Sequence, residues 1–176
     1  MIEYLASRIR DVPDFPKAGI VFKDITPLLA DPKALSGAVD ALAERVGPLR
    51  PDIILGAESR GFILGPALAI RLGVGFAIAR KPGKLPWRTV KASYALEYGE
   101  DSLELHQDAI VKGMRVVVHD DLLATGGTAR ATCDLAEAIG GTVVGCAFLI
   151  ELAFLGGRGR LAPFPVEALV SYSSGD

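Results

Sequence analysis

Histidine and cysteine are scarce in this chain. His106, His119, Cys133 and Cys146 are the only ones among 176 residues. They are too few and too scattered for a zinc-ligand cluster, and the two cysteines read as small buried side chains rather than as a structural disulfide. Positive charge is not in excess either: 19 Lys and Arg against 21 Asp and Glu leave a formal net charge of −2. That balance argues against a general nucleic-acid binder. Glycine and proline interrupt every apolar run before it reaches bilayer length, and Met1-Ile2-Glu3-Tyr4 opens no signal peptide. A cytoplasmic protein with no membrane partner is expected. Repeats, low-complexity segments and linkers are also missing.

One ordered string stands out against these absences, residues 116–128, which read V-V-V-H-D-D-L-L-A-T-G-G-T. The β-branched run over 115–118 predicts a parallel strand covered on both faces, and Thr132, Leu135, Ala136 and Ile139 give helical spacing over 128–139. Ala124, Thr125, Gly126, Gly127 and Thr128 form the turn between them. Glycine lets the backbone approach an anion, the first amides of a helix lack internal partners, and the helix dipole favours negative charge there. A phosphate is the expected occupant, with hydroxyl donors from Thr125 and Thr128. Asp120 and Asp121 only accept hydrogen bonds when ionised. They would repel a phosphate, whereas ribose hydroxyls or a magnesium ion suit them. Piece by piece there is a blander alternative, an empty turn with solvated or helix-capping acids. The string as a whole reads as a grip for ribose and phosphate, with the spacing of neither G-x-x-x-x-G-K-[ST] nor G-x-G-x-x-G.

Along the rest of the chain, strand and helix patterns alternate. Asp31 is placed as an N-cap with Pro32 in the first turn, Leu35, Ala38, Val39, Leu42 and Val46 form one apolar stripe, and Gly47-Pro48 ends the helix. Strands are predicted over 53–55, 75–79 and 142–152, a helix over 62–72, and a last edge strand over 166–172. The fold class is therefore α/β, an open, mostly parallel sheet with helices on both faces. With half of its residues apolar, the chain suits a single domain over 1–176, with a small N-terminal hood over 1–30.

Two further segments carry charge that the fold does not need. Gly56-Ala57-Glu58-Ser59-Arg60-Gly61 makes a second strand-to-helix turn. Open α/β sheets bind ligands at the carboxyl ends of their strands, so Arg60 has two readings, a second phosphate in a shared crevice or an ion pair with Glu58 or another surface acid. The stretch 80–91 holds Arg80, Lys81, Lys84, Arg88 and Lys91 without an acid, and Pro82, Gly83 and Pro86 keep it irregular. It reads either as a mobile lid over 80–100 that attracts pyrophosphate and excludes water, or as a solvated or RNA-contacting basic loop.

The string over 116–128 resembles the phosphoribosyl-pyrophosphate signature of the type I phosphoribosyltransferases. Phe15-Pro16-Lys17-Ala18-Gly19-Ile20-Val21-Phe22-Lys23-Asp24-Ile25-Thr26-Pro27, Glu58-Ser59-Arg60-Gly61-Phe62, Arg80-Lys81-Pro82-Gly83-Lys84-Leu85-Pro86 and Ser93-Tyr94-Ala95-Leu96-Glu97-Tyr98-Gly99 follow the order seen in adenine phosphoribosyltransferases. The similarity runs through to Leu161-Ala162-Pro163. It implies a 5′-phosphate on Ala124, Thr125, Gly126, Gly127 and Thr128, ribose hydroxyls at Asp120 and Asp121, and pyrophosphate near Arg60, Arg80, Lys81 and Lys84. Adenine would lie under residues 20–23, its edge read by backbone groups of Val21 and Lys23 and its faces near Phe22 and Leu122. Glu97 matches the family's lid glutamate, so the implied catalytic set is Glu97, Asp120, Asp121 and Arg60. Mg2+ would be held mainly by the substrate, with Asp120 and Asp121 as the protein oxygens within reach. Family members form dimers, so a homodimer is expected. His119 departs from the aliphatic residue usual before the acid pair and reads as a hydrogen-bonded strand-end residue. Trp87, in the lid, is a candidate subunit contact.

The implied reaction moves a 5-phosphoribosyl group from phosphoribosyl pyrophosphate to adenine, giving AMP and pyrophosphate. Backbone recognition leaves little trace in side chains, so hypoxanthine, guanine, xanthine and orotate stay open as bases. A non-catalytic sensor of phosphoribosyl pyrophosphate is the alternative from another class. The basic lid and Glu97 favour the enzyme.

Overall fold

The alternating pattern resolves, in a computed structural model that describes residues 1–96 and 99–175, into fifteen α-helices and β-strands. In chain order they are α1 (Ile2–Ala6), β1 (Arg10–Val12), β2 (Phe22–Asp24), α2 (Thr26–Ala30), α3 (Pro32–Val46), β3 (Ile53–Ala57), α4 (Gly61–Leu72), β4 (Gly75–Ala79), β5 (Thr89–Leu96), β6 (Gly99–His106), β7 (Arg115–Leu123), α5 (Gly127–Ala138), β8 (Thr142–Leu152), α6 (Gly157–Arg160) and β9 (Val166–Tyr172). The start of α3 follows from local chemistry. The Asp31 carboxylate accepts from the N–H groups of Lys33 and Ala34 at 2.9 and 3.1 Å, and Pro32 fills the first turn, where its missing N–H costs nothing. Of the expected stripe, Ala38, Val39, Leu42 and Val46 are buried, while Leu35 is only half-buried, on the rim of a groove between α3 and α4.

Five strands pair in the order β4-β3-β7-β8-β9, every pair parallel. Successive residues of a strand face opposite sides. Ile54 and Val117 therefore pack with Leu42, Leu64 and Leu68 of α3 and α4, whereas Ile53, Leu55, Val116 and Val118 pack with Cys133, Leu135 and Ala136 of α5. Both faces of the sheet are covered, as expected. From β3 the chain moves outward to β4 and then returns to the other side of β3 as β7. Crevices that take ligands form outside the carboxyl ends of strands at such a reversal. The turns after β3 and after β7 both open there.

The structure differs from the sequence reading in several places. β7 continues to Leu123 instead of ending at 118, because its register with β8 is kept through Leu122–Ile150 and Leu123–Glu151. The acids thus belong to the strand and not to the turn. Two antiparallel hairpins, β1–β2 and β5–β6, were not anticipated. Residues 89–91, expected to be irregular, open β5, and Leu103 and Leu105 of β6 are buried in the α5-side core. At the N-terminus, Leu5, Ile25 and Leu28 share a core with α3 and α4, and β1–β2 forms a small separate sheet. Among the described residues no helix is long and apolar enough to cross a membrane.

Candidate active site

The turn after β7 is built around backbone. Gly126 adopts φ +84°, a left-handed conformation that suits glycine, and precedes Gly127 at the first position of α5. No side chain caps that helix, which leaves its leading amides available. A pocket of roughly 160 Å³ lies over them, lined by residues 122–129 together with Arg60 and Asp120. The structure thus gathers Ala124, Thr125, Gly126, Gly127, Thr128, Leu122, Asp120 and Arg60 around one cavity. The Thr128 hydroxyl also approaches the Tyr94 hydroxyl of β5, at 3.4 Å.

Arg60 sits here because Gly61 allows it. A Cβ at Gly61 would stand 2.7 Å from the His119 carbonyl oxygen, so only a glycine lets the turn after β3 pack directly on β7. The Arg60 Nε is 3.1 Å from Oδ2 of Asp121, which is almost fully buried. Of the two readings for Arg60 the ion pair is present, though its partner is a buried acid and not Glu58. Asp120 Oδ1 accepts from the Asp121 N–H at 2.8 Å. Burial, and next the charge of Asp121, push the Asp120 carboxyl well above the usual carboxylate range. Burial also raises Asp121, against the pull of Arg60.

The basic stretch gathers on acids. Glu58 accepts from Lys84 Nζ at 2.7 Å, from the Lys81 N–H at 2.7 Å and from the Arg80 guanidinium at 3.2 Å. Burial works against its charge, yet Lys84, the Lys81 amide and Arg80 hold its pKa down at about 2. Lys81 Nζ pairs with Asp101 of β6, which also takes a hydrogen bond from Tyr94. Sequence reasoning did not single out Asp101 or Tyr94, and it had Glu58 only as a neighbour of Arg60. Nothing local marks such acids, since Glu58 and Asp101 meet their basic partners, residues 80–84, only across 20 or more positions of chain.

Above the crevice, Phe22 packs edge-on against Phe15 at 5.2 Å between ring centroids, and the Arg60 guanidinium lies 5.4 Å from the Phe22 centroid. Val21 is half-buried. The Lys23 side chain turns inward, with Nζ 2.8 Å from Asp11 and 4.2 Å from the centroid of the Tyr172 ring. Glu97 falls outside the described residues. His119 is fully buried and its pKa is pushed down to about 4 by burial, so it stands as a neutral ring beside the acids. Trp87 is exposed, and its backbone N–H donates to His106 Nε2 at 3.3 Å.

The model of the phosphoribosyl transferase domain family matches residues 25–162. The adenine phosphoribosyltransferase of Rubrobacter xylanophilus is 58% identical over 172 residues, covering 97% of this chain and 93% of that protein. Among solved structures, the adenine phosphoribosyltransferase of Thermoanaerobacter pseudethanolicus superposes with a TM-score of 0.96 at 50% identity, covering 98% of this chain and 100% of that one. That of Saccharomyces cerevisiae, solved with adenine and an imino-altritol bisphosphate, gives 0.90 at 41% identity, covering 96% and 97%. A glycine turn into an uncapped helix, a carboxylate pair and an arginine at the sheet's reversal are thus joined by likeness over nearly the whole length, and the chain belongs to the phosphoribosyl transferase domain family, among its adenine phosphoribosyltransferases.

Proposed function

We propose that this protein transfers the 5-phosphoribosyl group of phosphoribosyl pyrophosphate to adenine, releasing AMP and pyrophosphate. One observation carries the reading: a single pocket is lined by the uncapped first turn of α5 together with Asp120 and Arg60, and that arginine is paired with the buried Asp121. The whole-chain identity to adenine phosphoribosyltransferases supports adenine as the base.

Amides and hydroxyls of residues 124–128 hold the 5′-phosphate. Asp120 and Asp121 face the ribose hydroxyls, and Arg60 faces the pyrophosphate with Arg80, Lys81 and Lys84 behind it. Val21, Phe22, Lys23 and Leu122 frame the base. Purine N9 forms a bond to ribose C1 while the bond from C1 to the pyrophosphate oxygen breaks, with the electron pair leaving on pyrophosphate. Positive charge builds on the sugar, so the protein's contribution is alignment, neutralisation of the leaving group and exclusion of water. Glu97 is the candidate to accept the N9 proton. Two adjacent carboxyls, only one of them paired with an arginine, fit a divalent cation, and no group of three or more acids, histidines or cysteines forms a metal cage among the described residues. Mg2+ held chiefly by the substrate's own oxygens, with Asp120 and Asp121 in reach, would supply charge neutralisation at the pyrophosphate. The assembly proposed is a cytoplasmic homodimer.

The test is pyrophosphate release from phosphoribosyl pyrophosphate and Mg2+ with adenine, hypoxanthine, guanine, xanthine and orotate in turn. Adenine is expected to exceed each of the others in kcat/KM by at least about a hundredfold, since a site that hydrogen-bonds one base edge leaves groups unpaired with another. Binding of the activated sugar without release for any base would make the protein a sensor.

A further inference from the structure

We propose that Arg158 is a positioning residue for the loop 124–128, acting through the backbone of Gly157; the proposal rests on the reading of that loop as the 5′-phosphate site. α6 takes no part in the pocket wall, yet it touches the loop backbone directly. A Cβ built on Gly157 would collide with the Ala124 carbonyl oxygen and come within 3.0 Å of Leu123. A Cβ built on Gly126 would stand 2.7 Å from the Gly157 carbonyl oxygen. Two glycines thus meet backbone to backbone under the amides assigned to phosphate.

Such a contact orients the loop only if α6 is itself fixed. Four residues without a side-chain cap do not hold a helix by themselves. Arg158 supplies the hold. Its Nε and Nη2 reach both oxygens of Glu151 at 3.0 and 2.6 Å, and Nη1 donates to the Val166 carbonyl at the start of β9. Glu151 is buried, and it lies on β8 in register with Leu123 of β7, one residue before the loop. The guanidinium therefore ties α6 to β8 and β9 where the loop leaves the sheet. A bidentate fork fixes direction as well as distance, which an ammonium does not. An anion cradle depends on amides held to within about half an ångström, and this tie gives Ala124 and Gly126 a fixed floor.

The test compares wild type, Arg158→Gln, Arg158→Lys and Gly157→Ala. Binding of ribose 5-phosphate is followed by calorimetry, and KM for each substrate and kcat are followed by initial rates. Arg158→Gln is expected to raise the ribose 5-phosphate Kd and the KM for phosphoribosyl pyrophosphate by about tenfold, with the KM for adenine unchanged at a saturating level of the other substrate. Arg158→Lys should recover part of that loss, and Gly157→Ala should exceed it. Ribose 5-phosphate affinity at the wild-type level in Arg158→Gln overturns the proposal, and so does a loss shared equally by both substrates. If Arg158→Gln does not fold, the same criteria apply to Arg158→Lys, which keeps the charge and loses the fork. Wild-type protein that binds no ribose 5-phosphate would overturn the functional reading itself, and the proposal with it.

Discussion

His119 shows how one residue's surroundings decide its chemistry. Its Nδ1 lies 3.0 Å from the Ala147 carbonyl oxygen, which can only accept, so Nδ1 carries a proton, and burial keeps the ring neutral. Its Nε2 is buried with no hydrogen-bond partner among the described residues. Burial lowers the pKa from 6.5 to about 4. The unfolded chain therefore takes up a proton below pH 6.5 that the folded one refuses until about pH 4. Stability from this site is complete above pH 6.5 and is lost as pH falls through that window, by about 2 kcal/mol at pH 5. Urea unfolding of wild type and His119→Leu at pH 7.5 and pH 5 checks this. Acidification should cost the wild type more by about that amount, and an equal response of both proteins would remove the buried neutral ring as the cause. Two residues further on, the Asp121 carboxylate holds Arg60, so Asp121→Asn disturbs the ribose and pyrophosphate sides together. A fall of about 10- to 100-fold in kcat/KM for phosphoribosyl pyrophosphate is expected in initial-rate assays. Unchanged kinetics would take Asp121 out of the mechanism.

At the scale of elements, the β1–β2 hairpin has only three paired positions, too few to stand alone in water. Lys23 supplies the missing hold, since its nearly fully buried side chain joins Asp11 of β1 to the Tyr172 ring of β9. A cation desolvated against an aromatic face and a carboxylate is worth roughly 1–2 kcal/mol. Lys23→Met is expected to raise the KM for adenine about fivefold and to leave that for phosphoribosyl pyrophosphate near wild type, while Tyr172→Phe, which keeps the ring, should change neither. Equal shifts in both KM values would show general unfolding of the N-terminal region instead. This clamp was hidden in the sequence, where Lys23 stands between Phe22 and Asp24 with nothing to mark its partners, which lie 12 residues before and 149 residues after it. By contrast, α3 was legible because its cap, proline and stripe are local signals, and so was the 124–128 turn, because glycines before a helix carry their own chemistry. The end of β7 was not. His119-Asp120-Asp121 looks like a strand terminus by polarity, and only the pairing with β8 extends it. The β5–β6 hairpin escaped for the same reason, since its alternation is interpretable only once Leu103 and Leu105 have a helix to face.

For the molecule as a whole, a net charge of −2 supplies no broad attractive field for an anionic substrate. The cations proposed to meet pyrophosphate are already engaged: Arg60 with Asp121, Arg80 and Lys84 with Glu58, Lys81 with Asp101. On the proposed assignment, pyrophosphate would exchange partners with these acids rather than fall into an open positive trap, and much of its Coulombic gain would be offset by pairs that break. Glu58 is the pivot, because one shielded carboxylate holds two of the side chains assigned to the leaving group. Glu58→Gln keeps an acceptor for the Lys81 amide and removes the charge that competes with pyrophosphate. The variant is expected to bind magnesium pyrophosphate about three- to tenfold more tightly near 50 mM salt, with affinity falling more steeply than in wild type toward about 300 mM, because unpaired exposed cations are screened more than paired ones. Turnover should drop as product release slows. Titration calorimetry at both salt concentrations measures it. An unchanged affinity and an unchanged salt slope would mean that Arg80 and Lys84 stay on residue 58 when pyrophosphate binds, leaving Arg60 to meet the leaving group without them.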